Sequence, residues 1–122
     1  MRPRRLTLLV PALAVAIPGC GGYGGDSGVP GPNEVVMTDY RFDPRDARVK
    51  PGTDLSTRND GQVAHDLTLE RRGSDQRLIG TDPLLSGDRA ELTVDLPPGR
   101  YKMVCTVPGH EQRGMVGTLV VE

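Results

Sequence analysis

Cys-Thr-Val-Pro-Gly-His-Glu-Gln-Arg-Gly-Met, residues 105–115, places a thiol, an imidazole and a thioether in one short segment. Four residues separate Cys105 from His110, and four more separate His110 from Met115. Copper that alternates between Cu(I) and Cu(II) suits this set, because soft sulfur donors favour the reduced ion and imidazole suits both states. The segment supplies three ligands, and the one other histidine is His65. The sequence therefore predicts a mononuclear copper site at His65, Cys105, His110 and Met115.

Short apolar runs separated by Gly, Pro, Asp and Asn fill residues 34–122, a pattern typical of short strands. From His65 to Glu70 apolar and polar residues alternate, which predicts a strand with one buried face and one solvated face. The same alternation runs from 90 to 96, and Pro97-Pro98-Gly99 then turns the chain into a strand that ends at Cys105. The polar, irregular stretch 71–86 predicts a loop. Further strands are predicted near 35–42, 47–50, 53–57 and 116–121.

About seven short strands without helical periodicity predict an all-β fold, a two-sheet antiparallel β-sandwich of Greek-key type. In such a fold the segment 105–115 is the loop between the last two strands. His65 lies at the start of a strand whose apolar face points inward, so the fold allows it to approach that loop.

The N-terminus has the three parts of an export signal, namely arginines within residues 2–5, an apolar run from 6 to 17, and Pro18-Gly19-Cys20. The apolar run would form a helix of roughly 18 Å, short of the roughly 30 Å hydrocarbon core. We therefore expect residues 1–19 to be a removable signal peptide. Its end resembles the lipobox of bacterial lipoproteins, in which Cys20 becomes the lipid-modified first residue, although Pro18 departs from the small residue usual there. The alternative is an ordinary signal peptide with Cys20 unmodified.

Residues 20–33 are rich in Gly and Pro and have little to bury, so they predict a flexible tether between lipidated Cys20 and a folded domain at 34–122. Loss of residues 1–19 removes three arginines and no acid, which changes the formal net charge from −1 to −4. Nucleic acid is therefore not an expected partner. We expect an exported monomer in the periplasm or on the outer face of the cell membrane, anchored through its lipid.

The segment 105–110, Cys-Thr-Val-Pro-Gly-His, resembles the ligand loop of azurin. Segments 40–43, 49–52 and 59–69 follow the order and spacing of the strands that precede the first ligand histidine in cupredoxins such as plastocyanin and azurin. This resemblance covers nearly all of residues 34–122. It implies a blue, type 1 copper site in an electron carrier, not an enzyme, whose partners are redox proteins such as a cytochrome, an oxidase or a reductase.

The resemblance also implies a role for each ligand. Cys105 is the strong equatorial thiolate, His65 and His110 complete the plane, and Met115 is the weak axial ligand. The surface around His110, residues 107–109, is the implied docking surface for redox partners.

Two departures from the cupredoxin pattern affect the site. Asp66 stands where the family often has Asn, and the four residues between His110 and Met115 make a longer loop than the one in azurin. A bond from Asp66 to Thr106 is still expected. An ionised Asp66 favours Cu(II), whereas burial favours its protonated form, so the sign of its effect on the reduction potential is open.

Other chemistries fit the sequence less well. Structural zinc sites use four strong ligands and several cysteines, and a thioether is a poor zinc ligand. A nucleophilic pair of Cys105 with a histidine would need a binding region and an oxyanion loop, which the sequence does not show. The alternative function is a copper-binding lipoprotein for trafficking or storage, which would use the same ligand types and release the metal.

Overall fold

The computed structural model describes residues 29–122, so the predicted signal peptide, Cys20 and most of the predicted tether lie outside the described residues. Within residues 29–122 no helix has the length and hydropathy needed to cross a membrane. This part of the chain contains nine strands: β1 Glu34–Thr38, β2 Arg41–Asp43, β3 Asp46–Val49, β4 Thr53–Asn59, β5 Thr68–Arg71, β6 Arg77–Gly80, β7 Arg89–Val94, β8 Gly99–Val104 and β9 Val116–Val121. A 3-10 turn spans Glu111–Arg113.

The strands form two sheets that pack as a sandwich. The first sheet has the order β2-β1-β4-β7, and the second has the order β3-β9-β8-β5-β6. The core between the sheets consists of buried apolar side chains, and its members that are 2% exposed or less include Phe42, Leu55, Val94, Leu69, Met103 and Leu119. Burial of each large apolar side chain stabilises the fold by roughly 1.5–3 kcal/mol. The prediction of an all-β, two-sheet sandwich is confirmed.

The predicted antiparallel arrangement is wrong for one strand pair in each sheet. β1 runs parallel to β4, and β3 runs parallel to β9. Neither pair is joined by a hairpin, because other strands intervene along the chain, and such crossing connections permit parallel pairing. The alternation of apolar and polar residues along a strand is the same for both directions, so the sequence pattern carried no signal for this difference.

The stretch 71–86, predicted to be a loop, contains a strand. β6 pairs with β5 at the edge of the second sheet, and Leu84 forms an isolated bridge with His65. The apolar content of β6 is limited to Leu78-Ile79, which is too short to show a period of two.

The prediction that one face of the strand after His65 is solvated is also wrong. Asp66, Thr68 and Glu70 are all buried, because neighbouring segments cover both faces of this strand and supply partners for its polar groups. Thr106 donates to Asp66, and the ammonium group of Lys102 lies 3.2 Å from Glu70. These polar residues therefore bind partners inside the protein. The alternation of apolar and polar residues does not distinguish them from polar residues that face solvent.

Candidate metal centre

The loop between β8 and β9 is set by the register of these two strands. They are antiparallel, with Val104 opposite Val116, so Cys105 and Met115 lie opposite each other one step beyond the paired residues. The N–H of Cys105 donates to the carbonyl of Met115 at 3.2 Å, and the N–H of Met115 donates to the carbonyl of His110 at 3.2 Å. The strand pairing therefore ties all three donor residues of the loop together through the main chain.

The second strand pair that positions the site is β5 with β8. Thr68 lies opposite Val104, and extending the same antiparallel register places Asp66 opposite Thr106. His65 consequently lies at the same end of the sheet as Cys105. Its main chain is fixed by two bonds with Leu84, of 3.1 and 2.8 Å.

The structure brings three of the predicted ligands together. Their metal-binding atoms point at one another. The Nδ1 atoms of His65 and His110 are 3.0 Å apart, and Sγ of Cys105 lies 3.4 Å from Nδ1 of His110 and 4.0 Å from Nδ1 of His65. All three side chains are buried. Of the residues that the structure describes, these are the ones that form a His, Cys, Asp or Glu cluster able to bind a metal ion.

Met115 completes the predicted set. Its side chain is fully buried in the core cluster that also contains Cys105. One thiol, two imidazoles and one thioether, all shielded from water, match the donor set that copper takes in type 1 sites. The residues present therefore fit the ion, and the four side chains are arranged as a type 1 copper site.

Burial acts in opposite directions on two donors of the site, because it opposes the Cys105 thiolate and favours a neutral His110. Burial raises the pKa of the Cys105 thiol, although the N–H groups of Asp66 and Val107 point at the sulfur and favour the thiolate. Burial, followed by the electrostatic effect of the nearby His65 ring, lowers the pKa of His110, which keeps the His110 imidazole neutral. A neutral imidazole and a thiolate are the forms that bind metals, and a bound cation would offset the cost of burying the thiolate.

Asp66 connects the two segments that carry the ligands. Its carboxylate accepts from the N–H of Thr106 at 2.8 Å and from the hydroxyl of Thr106, and the hydroxyl of Thr68 lies 3.4 Å from it. Only 2% of the residue is exposed. The expected bond from Asp66 to Thr106 is confirmed.

Asp39 was not predicted from the sequence, although it contacts a predicted ligand. Its Oδ1 atom lies 3.1 Å from Nε2 of His65 and accepts from the N–H of Gln62 at 2.8 Å. The pKa of Asp39 is lowered, first by its bond with His65 and then by the N–H of Gln62. The only local signal was a polar pair, Asp39-Tyr40, between two apolar segments, and such pairs are common in turns.

Tyr40 lies against both imidazoles. Its ring meets the rings of His65 and His110 edge to face, with centroids 6.0 and 5.0 Å apart, and the guanidinium of Arg113 lies over the Tyr40 ring, 4.5 Å from its centroid. Tyr40 has a φ of 65°, in the left-handed region that bulky residues rarely adopt. The turn between β1 and β2 is therefore strained where it meets the metal centre.

The 3-10 turn after His110 is tied to the second sheet by Lys102. The ammonium group of Lys102 lies 2.5 Å from Glu111 and 3.2 Å from Glu70. Its bond with Glu111 raises the pKa of Lys102, so the side chain remains a cation. This pairing connects the turn that follows a predicted ligand to two central strands.

Comparisons with known proteins agree with this geometry. The family model for copper binding proteins of the plastocyanin/azurin family matches residues 31–122. A search of curated proteins finds no match to the sequence. Among solved structures, a purple cupredoxin from Nitrosopumilus maritimus is 22% identical, with a TM-score of 0.60 over 73% of this chain and 98% of that one.

Two auracyanins also share the fold. The dithionite-reduced auracyanin from Roseiflexus castenholzii is 20% identical, with a TM-score of 0.63 over 73% of this chain and 94% of that one. Auracyanin B is 25% identical, with a TM-score of 0.62 over 73% of this chain and 86% of that one. The family match rests on the sequence, and the buried cluster of two imidazoles and a thiol rests on the structure. Both lead to the same assignment. This chain belongs to the plastocyanin/azurin family of copper-binding proteins, the cupredoxins, and copper is its cofactor.

Proposed function

We propose that this chain is a single-electron carrier that uses a mononuclear type 1 copper site and exchanges electrons between membrane-associated redox proteins. The observation that carries the proposal is the closed donor set. The donor atoms of His65, Cys105 and His110 lie within 4.8 Å of one another, and all three side chains are buried. A site whose positions are all filled by protein donors favours electron exchange over binding and transformation of a substrate.

In this proposal His65, Cys105, His110 and Met115 bind the ion. Bound copper supplies a one-electron couple, Cu(I)/Cu(II). The Cys105 thiolate and the two imidazoles would be its strong donors, and the Met115 thioether would be the weak donor that the family resemblance implies. The main-chain bonds that join Cys105, His110 and Met115 limit the movement of the donors when the charge of the ion changes.

The proposed route for the electron is the edge of His110. Only 9% of His110 is exposed, while Pro108 and Gly109 beside it are exposed and Val107 is half-buried. Val107 packs against the core cluster and so joins the loop to the interior. A small apolar surface without charged side chains at 107–109 suits brief, repeated docking, because weak redox encounters use small interfaces.

We further propose that the chain is exported and attached to the outer face of the membrane through a lipid on Cys20. The support is the sequence before residue 21, which combines an export signal with a lipobox-like end. A tether of Gly and Pro residues would give the domain the reach to meet a cytochrome, an oxidase or a reductase in the same membrane.

The deciding experiment is spectroscopy and voltammetry of the exported protein loaded with Cu(II). The proposal predicts an intense visible band from thiolate-to-copper charge transfer and a reversible one-electron wave. Cys105→Ala should abolish the band, whereas Met115→Gln should retain it and lower the potential. Absence of the band in the wild type would overturn the proposal. Rapid release of Cu(I) to a chelator, without a reversible wave, would identify copper trafficking or storage instead.

Membrane attachment has its own test. Cys20→Ala should move the protein from the membrane fraction to the soluble fraction, because a lipid can no longer be attached. Cys105→Ala is the matched control, since it also removes one thiol but leaves the N-terminus intact. If Cys20→Ala stays with the membranes as the wild type does, lipidation at Cys20 is wrong.

A further inference from the structure

The carboxylate of Asp39 is held by the loop that precedes His65. Its Oδ1 atom accepts from the N–H of Gln62 at 2.8 Å and lies 3.4 Å from the N–H of Val63. The same oxygen lies 3.1 Å from Nε2 of His65. A carboxylate fixed by main-chain donors therefore faces the ring nitrogen of His65 that points away from the cluster of donor atoms.

This contact determines which nitrogen of His65 carries the proton. An ionised carboxylate only accepts hydrogen bonds, so Nε2 of His65 must be the donor. In a neutral imidazole the other nitrogen, Nδ1, then has a free lone pair. That Nδ1 atom is the one that lies 3.0 Å from Nδ1 of His110 and 4.0 Å from Sγ of Cys105.

The backbone on both sides of the contact is adapted to it. β1 and β4 are parallel with Met37 opposite Asn59, so the same register places Asp39 opposite Gly61. A Cβ atom on Gly61 would lie 2.4 Å from Oδ1 of Asp39 and 3.0 Å from Nε2 of His65. Only glycine leaves room for the contact at this position.

The turn that carries Asp39 is strained at the next residue. Tyr40 adopts a φ of 65°, and a bulky side chain in this region costs free energy that the surrounding structure must offset. The strained turn presents Asp39 to one face of the site and the Tyr40 ring to both imidazoles. The strained Tyr40, the close approach at Gly61 and the fixed carboxylate of Asp39 therefore all lie next to one ligand, His65.

We propose that Asp39 is a positioning residue for His65, which it fixes as the Nε2–H tautomer and makes a stronger donor at Nδ1, so that the site favours Cu(II) over Cu(I). The inference rests on the proposed copper site. A carboxylate bound to the far nitrogen of a ligating imidazole orients the ring and raises its basicity. A more basic donor stabilises the more highly charged ion.

The test uses three variants of the full chain. Asp39→Asn keeps an oxygen acceptor and removes the charge, Asp39→Ala removes both, and Gly61→Ala retains Asp39 but displaces its carboxylate. The matched control is Asp54→Asn, because Asp54 is an exposed acid near the opposite end of β4, roughly 16 Å along the strand from Asn59. At that distance water and salt screen its charge from the site.

Two measurements are made on each variant. In the metal-free protein, nitrogen-15 NMR should show the Nε2–H tautomer of His65 in the wild type and in the Asp54→Asn control, and a shift towards Nδ1–H in Asp39→Ala. In the copper-loaded protein, Asp39→Asn should weaken Cu(II) binding about tenfold relative to Cu(I), which corresponds to a rise of about 59 mV in the potential. Gly61→Ala should change the potential in the same direction.

The outcomes separate this inference from the proposed function. If the wild type shows no thiolate-to-copper band, the proposed function fails, whereas the tautomer measurement still reports on Asp39. If the wild type is a normal type 1 site but Asp39→Asn and Gly61→Ala both keep its potential, the inference is overturned. An unchanged tautomer in Asp39→Ala overturns it as well. Should Asp39→Ala fail to fold, the potential of Asp39→Asn decides, since its side chain is close to the wild-type size.

Discussion

Replacing Asp66 with Asn removes a buried charge next to the metal centre with little change of shape. The amide oxygen can still accept from the N–H of Thr106, and the hydroxyl of Thr106 can turn to accept from the new amide group. The bonds that join the two ligand-bearing segments are therefore retained. The charge is lost, and because a negative charge stabilises Cu(II), we expect the reduction potential to rise.

The size of this rise follows from the distance between the carboxylate and the ligand sulfur. One hydrogen bond and four covalent bonds connect them through Thr106 and Cys105, so they lie within about 9 Å of each other. Coulomb's law with an effective dielectric constant of about 20 gives roughly 1.8 kcal/mol at 9 Å, and more at a shorter separation. For a one-electron couple this corresponds to about 80 mV.

Voltammetry of the wild type, Asp66→Asn, Asp66→Ala and the Asp54→Asn control would measure this effect, with a thermal melt of each. The melting temperature of Asp66→Asn should stay close to that of the wild type, because weaker bonds are offset by the removal of a buried charge. Asp66→Ala loses both bonds to Thr106 and should cost about 2–4 kcal/mol in unfolding free energy. An unchanged or lower potential in Asp66→Asn would refute an ionised Asp66 and leave it a neutral carboxyl group.

Three further changes test how the fold supports the site. Gly117→Ala places a Cβ atom 2.0 Å from the carbonyl of Arg45, so it should separate β3 from β9 at a cost of about 3 kcal/mol or more, seen in chemical denaturation. Lys102→Met removes the partner of Glu111 and should lower the free energy of unfolding by about 1–2 kcal/mol; an unchanged melting temperature would show that the pair is not stabilising. Leu69→Ala should cost about 2–5 kcal/mol through a core cavity, with the visible band unchanged in the folded fraction.

The predictable parts of this molecule are those encoded over short distances in the sequence. Three of the four predicted ligand residues lie within one loop, so the spacing of Cys105, His110 and Met115 was sufficient to indicate a metal site. Alternation of apolar and polar residues was sufficient to locate most strands. His65 was inferred because it is the only other histidine.

The parts that were missed depend on pairing between distant segments. Asp39 lies 26 residues before His65, and its contact depends on the parallel pairing of β1 with β4, which no local pattern specifies. Burial of Asp66 and Glu70 was missed for a related reason, because their partners come from other strands. A buried polar residue with a tertiary partner and a solvated one look the same in a single sequence.

Three extensions of strand register account for the geometry of the site. Antiparallel β8 and β9 place Cys105 opposite Met115, antiparallel β5 and β8 place Asp66 opposite Thr106, and parallel β1 and β4 place Asp39 opposite Gly61. Each residue pair lies just past the last paired residues, where the neighbouring strand still sets the position of the main chain. Sites supported by strands are more precise than sites carried by loops alone. Strand pairing brings the donor atoms this close without a metal ion, so we expect the protein to fix the coordination geometry and the two acids, Asp39 and Asp66, to adjust its preference between Cu(I) and Cu(II).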